Sequence, residues 1–128
     1  MMDVLIVERD ALVGTVLADL LADDGIAAAV MPDKQALALP PYNAPLVVIT
    51  GVNRGHSEDL TGLEFAGAMR KKWPTLGVVY LAALWPVCLH SGALAARDRF
   101  LSKPVALTDM VRTVRELMAV ESAGNWGS

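Results

Sequence analysis

LVVITGVNRG, Leu46 to Gly55, passes from an apolar, β-branched segment directly into a polar loop. Its first half carries no charge and hardly alternates, which is the pattern of a strand covered on both faces. Its second half offers Gly51 and Asn53, residue types suited to a turn. Other segments repeat the plan. VLIV (Val4 to Val7) runs into Glu8, Arg9 and Asp10; GVVYLA (Gly77 to Ala82) runs into Ala83; RFLS (Arg99 to Ser102) runs into Lys103 and Pro104. IAAAV (Ile26 to Val30) is a candidate for the remaining strand, second in chain order.

Helical patterns separate these strands. Leu12, Val13, Val16, Leu17, Leu20 and Leu21 recur at helix spacing, and Asp23, Asp24 and Gly25 close that element. Pro32 suits the first turn of a short helix carrying Ala36, Leu37 and Leu39, after which Pro40, Pro41 and Pro45 bracket a loop. A helix is expected from about Gly62 to Trp73, with Leu63, Phe65, Ala66 and Met69 inward. Arg70, Lys71 and Lys72 then sit at its C-terminal end, where positive charge suits the dipole, and Pro74 stops it. Pro86 to Ala96 reads as another helix, and a last one buries Leu107, Met110, Val111, Val114, Leu117 and Met118. Five strands alternating with five helices predict an α/β, doubly wound five-stranded parallel sheet covered on both faces. Ligands of such sheets bind beyond the carboxyl ends of the strands, where the strand order reverses. The residues following each strand are therefore the candidates: Glu8 to Asp10, Gly51 to Asn53, Ala82-Ala83 and Lys103-Pro104.

A chain of 128 residues suits one domain, expected over residues 1–120, with ESAGNWGS (Glu121 to Ser128) as a weakly structured tail. Hydrophobic residues make up 54% and the mean hydropathy is +0.42. Charged residues, at 20%, fall below the roughly 25% usual for globular domains. That surplus fits a fully covered sheet together with a sticky face for a partner. No uninterrupted apolar run reaches the ~18 residues of a membrane span, and MMDVLIVERD lacks the basic start of a signal peptide. A net charge of −3 and a pI of about 5.2 speak against general nucleic-acid binding. The single Cys88 excludes an internal disulfide and fits a reducing cytoplasm. His56 and His90 have no second ligand at metal spacing, Cys88 has no basic partner in sequence, and Gly14, Gly62 and Gly67 form no phosphate-binding loop. The expectation is a cytoplasmic protein with no metal, cofactor, membrane or nucleic acid.

In this order and spacing, VLIVERDALV, VVITGVN with its loop and TGLEF, VVYLAA, and FLSKPV resemble the receiver domain of bacterial two-component response regulators over Asp3 to Val120. The resemblance implies a flavodoxin-like fold with strand order 2-1-3-4-5. It also implies a chemistry: phosphoryl transfer from a kinase histidine to an aspartate at the end of the third strand. A divalent cation is held there by an acid after the first strand, by the acceptor, and by a backbone carbonyl two residues later. A hydroxyl after the fourth strand and a lysine after the fifth read the phosphate, and the charge event biases a two-state surface.

Carried over residue by residue, most of these roles fail. The acceptor position holds Gly51, which has no side chain to phosphorylate. Glu8 matches the first of the acidic pair, but Arg9 stands at the second, metal-ligating place, with Asp10 following. Ala82 replaces the hydroxyl. Asn53 falls where a backbone carbonyl binds metal, Lys103 and Pro104 are retained, and Phe100 keeps the switching aromatic without its hydroxyl. Glu8 and Asp10 balance Arg9 and Lys103 formally. Arg9 then either takes over the cation's electrostatic work or points into solvent at the start of the first helix, and Lys103 is expected to pair with Glu8 or Asp10, since an unpaired buried ammonium is costly.

The implied reading is a degenerate pseudo-receiver. It would be a stand-alone, non-enzymatic signalling module of a phosphorelay that binds a histidine kinase, another regulator or itself as a homodimer. The alternative is a variant phosphorylated, or liganded by an anion, at another residue near Arg9 and Lys103. Trp85 opens the segment that switches in active receivers and serves either the core or a partner. Receivers commonly pair through their last two helices and last strand, where this chain carries Arg97, Arg99, Phe100, Asp109, Arg112 and Arg115. No DNA-binding or catalytic output domain fits in the remaining residues, so output is expected through binding.

Overall fold

A computed structural model describes residues 2–8, 10–51, 62–82, 97–102 and 106–127. The strands are β1 (Val4–Val7), β2 (Ala28–Val30), β3 (Val47–Gly51), β4 (Gly77–Ala82) and β5 (Asp98–Ser102); the helices are α1 (Ala11–Asp23), α2 (Asp33–Leu37), α3 (Gly62–Lys72) and α4 (Leu107–Gly127). The helix expected over Pro86 to Ala96 lies outside the described residues. All strand pairs are parallel, in the order β2-β1-β3-β4-β5, so the order reverses between β1 and β3. The flavodoxin-like topology expected from the sequence is thus the one observed.

The strands lack alternation because both faces are buried. Leu5, Val7, Val48, Val78 and Tyr80 pack on one side with Ala36 of α2 and Phe65, Ala66 and Met69 of α3. Val4, Ile6, Val47, Ile49, Val79 and Leu81 pack on the other with Leu17 and Leu21 of α1 and Met110, Val114 and Leu117 of α4. Each face removes a row of β-branched and leucine side chains from water, at roughly 1.5–3 kcal/mol per large side chain.

Several boundaries moved for local reasons. Ile26 was expected in β2 but instead closes α1. Gly25 adopts φ 81°, its N–H bonds Ala22 O at 3.0 Å, and Ile26 N bonds Leu21 O at 2.8 Å. This is a Schellman close, with Ile26 and Leu21 packed in the same cluster. The short helix α2 ends at Leu37, so Leu39 falls after it. Leu107, expected inward, is 44% exposed, and so are Leu12 at 73% and Val16 at 45%. The backbone of α4 continues helical to Gly127, through the stretch expected to be a weakly structured tail; no proline or glycine interrupts it before Gly124.

Candidate functional site

Parallel register brings the ends of the central strands to one edge. Val7 pairs with Thr50 and Thr50 with Tyr80; Gly51 pairs with Leu81, and Ala82 with Ser102. Glu8, Gly51 and Ala82 therefore lie at the carboxyl end of the sheet, across the reversal of strand order, where doubly wound folds place ligands.

The first acidic cluster is committed locally. Asp10 is the N-cap of α1: its Oδ1 accepts from Leu12 N at 3.0 Å and from Val13 N at 3.4 Å. The first turn of a helix leaves backbone donors without intrahelical partners, and an aspartate before it both satisfies them and faces the positive end of the dipole. Glu8 is half-buried, and its Oε1 accepts from Asp10 N at 3.3 Å. Asp10 therefore caps a helix terminus, with its charge beside the positive end of the α1 dipole.

At the end of β3, Gly51 is half-buried and offers only backbone. Its neighbour Thr50 is fully buried and shares a face with Val7 and Tyr80, and its hydroxyl donates to Gly51 O at 3.2 Å. The Thr50 side chain is thus closed off from solvent. Among the described residues the donors do not fit a divalent cation. The acceptor position has no carboxylate, Asp10 caps a helix, and no cluster of three His, Cys, Asp or Glu side chains could hold a metal. Arg9, Asn53, Lys103 and Pro104 lie outside the described residues, as does Trp85; so do the direction of Arg9 and the pairing expected of Lys103.

The charged residues expected on a pairing face are tied in different directions. Arg97 donates to Thr75 O at 2.8 Å and Leu117 O at 2.9 Å, joining the start of β4 to α4. Arg99 donates to Asp98 O at 2.9 Å, and Phe100 packs partly buried against the α2–α3 core. Arg112 pairs with Asp109 at 2.7 Å in solvent. Arg115 reaches across to α1, donating to Asp24 Oδ2 at 2.5 Å and Asp24 O at 2.6 Å.

Two features escaped the sequence reading. The first is a polar knot at the amino end of β5: Arg70 pairs with buried Asp98 at 2.5 Å and also donates to Leu76 O. Burial, reinforced by the Asp98 charge and opposed by Arg70, pushes the Tyr80 phenol up to about 12. The knot lies at the strand end opposite the candidate site, so its role is in the fold. The second is a groove of about 660 Å³ between α1 and α4, with Leu20, Leu107 and Val111 among its walls. Its sequence signal was the width of the α1 stripe, six large apolar residues within ten, where one helix face accommodates about three or four per two turns.

No protein-family model matches the chain, and no curated protein matches it. Solved structures do. The Francisella response regulator 1452 receiver domain is 22% identical over 89% of this chain and 93% of its own, with a TM-score of 0.74. The Vibrio cholerae chemotaxis protein CheY4 is 22% identical over 91% and 98%, with a TM-score of 0.76. The receiver domain of NtrX from Brucella abortus is 23% identical over 91% and 98%, with a TM-score of 0.77. With the strand order and the layers on both faces, these likenesses establish that the chain has the fold of response regulator receiver domains.

Proposed function

We propose that this chain is a receiver-fold signalling module of a two-component system that acts by binding another protein and not by accepting a phosphoryl group. The observation that carries this reading is the end of β3. The residue at the switch point is Gly51, and the hydroxyl beside it in sequence, on Thr50, is buried. Aspartyl phosphorylation needs a carboxylate oxygen as nucleophile and a cation to neutralise the transferred group. At the end of β3 the described residues supply no carboxylate, and Asp10 serves as the cap of α1. Ala82, at the end of β4, likewise offers no hydroxyl to sense a phosphate. What the fold keeps is a rigid, doubly covered sheet whose helices present surfaces, and a module of this kind transmits a signal by differential binding. Its partner is then a histidine kinase, another regulator or a second copy of itself, in the cytoplasm.

Titration with Mg²⁺ followed by backbone amide NMR tests the reading. The expected result is an absence of saturable shifts at Glu8, Asp10 and Gly51. Saturable, site-centred binding in the micromolar to low-millimolar range would return the chain to the phosphoryl-transfer class.

A further inference from the structure

Helices α1 and α4 each follow a strand of the parallel sheet and pack on the same face of it, so they run in the same direction. Arg115 fixes their relative height, since its guanidinium meets the carboxylate and the carbonyl of Asp24 at the end of α1. One turn earlier on each helix stand Leu20 and Val111, and one turn further along α4 is Leu107, 44% exposed. With Ala119 these form the apolar walls of the groove of about 660 Å³ between the helices. Small-ligand sites occupy about 300–1,000 Å³ and combine apolar walls with a few placed polar groups. Here the carboxylates of the groove, on Asp23, Asp24 and Glu116, gather at one end of it, beside the last turn of α1.

We propose that this groove binds a small amphiphilic cation, with its apolar chain along Leu20, Val111 and Leu107 and its ammonium head beside Asp23 and Glu116. Charge chooses the sign of the head. The arginines of the groove are each matched by a carboxylate, Arg115 by Asp24 at 2.5 Å and Arg112 by Asp109 at 2.7 Å. Asp23 and Glu116 have no ion-pair partner among the described residues, so their negative charges are left over. The end of α1 adds to them, because the negative pole of the helix dipole emerges there and its last turn holds no basic residue. An anionic head would have to displace Asp24 or Asp109 from its arginine, whereas a cationic head displaces nothing. Length limits the chain. From Leu107 to Glu116 the α4 wall runs roughly 14 Å at the helical rise, about the reach of an extended chain of ten carbons. Such a chain covers exposed Leu107 and half-buried Leu20 and Val111, and each methylene it removes from water favours binding. The groove involves none of the strand ends, so this site goes beyond the reading of Gly51 and does not depend on it.

Methyl and amide NMR of the full chain during titration with n-decylammonium chloride, held below its micelle concentration, tests this. Saturable shifts are expected at Leu20, Leu107, Val111 and Glu116, with a dissociation constant of about 1 mM or tighter. Decanoate, with a chain of the same length and the opposite head, should bind at least about five-fold more weakly. Hexylammonium, with a shorter chain, should bind at least about ten-fold more weakly. Asp23→Asn and Glu116→Gln should each raise the dissociation constant about two- to five-fold, as for exposed charge pairs, and Leu20→Gln at least about ten-fold. Circular dichroism confirms that each variant is folded. Melting temperature should rise with decylammonium, because a ligand of the folded groove stabilises the fold, whereas a detergent taken up by the unfolded chain lowers it. Decanoate binding as tightly as decylammonium overturns the proposal, and so do charge variants that bind like the wild type. Shifts that fail to saturate or that spread over other surfaces, or a fall in melting temperature, overturn it equally. The Mg²⁺ titration reports on Glu8 and Gly51, so saturable Mg²⁺ binding there would remove the binding-module reading without touching this site.

Discussion

Asp10 shows how one residue type serves two chemistries at the end of a first strand. In sequence, an acid after VLIV is equally a ligand or a helix cap. The backbone decides, because Asp10 has the extended φ −82°, ψ 107° of an N-cap and its oxygen meets Leu12 N and Val13 N. Asp10→Ala should therefore lower stability by about 1 kcal/mol, the usual loss for an N-cap, in chemical denaturation. A stability loss that appears only in the presence of Mg²⁺ would mark Asp10 as a ligand. Tyr80 gives a second test at the same scale. Its folded-state phenol is raised above the ordinary 10.0 to about 12, first by burial and then by Asp98. A raised folded value means that the unfolded chain gives up this proton first. The stability tied to the neutral phenol is complete below pH 10, and it is lost as pH climbs through 12. Melting temperature should fall across that window, and Tyr80→Phe should flatten the fall; an unchanged profile would remove Tyr80 as its cause. The places of Gly51 and Ala82 at the ends of β3 and β4 were readable because the apolar runs stop there. The knot of Arg70, Asp98 and Tyr80 was not, since it joins three elements far apart in sequence.

Helix α1 carries the argument at the scale of elements. Its six large apolar residues are two rows, and only one of them meets the sheet. Leu17 and Leu21 are 4% and 0% exposed, while Leu12 and Val16 look outward. Gly14 marks the close approach of α1 to β2: a Cβ there would lie 3.0 Å from Val30 Cγ1, so a larger residue would require that side chain to give way. Leu21→Ala should cost roughly 2–5 kcal/mol in denaturant unfolding, the range for a buried leucine. Leu12→Ser should stay within about 0.5 kcal/mol, as for most surface changes. Equal effects of the two would mean that the rows are assigned to the wrong faces. Periodicity located all four described helices, but it cannot say which row of a broad stripe is buried. That depends on where the neighbouring helix lies, and the contact of α1 with α4 spans some ninety residues of chain, as Asp24 and Arg115 illustrate.

For the whole molecule, the strand order and the two covered faces were legible because continuous apolar strands alternating with helices admit few other solutions. The purpose of the surface was less legible, because the side chains that share it come from opposite ends of the sequence. The proposal that the chain accepts no phosphoryl group rests on the end of β3, where Gly51 stands at the reversal of strand order. The most direct measurement of that central claim is the intact mass of the full chain after incubation with a small acyl-phosphate donor and Mg²⁺. A mass unchanged from that of the untreated chain is the predicted result; a stable species heavier by one phosphoryl group would contradict it.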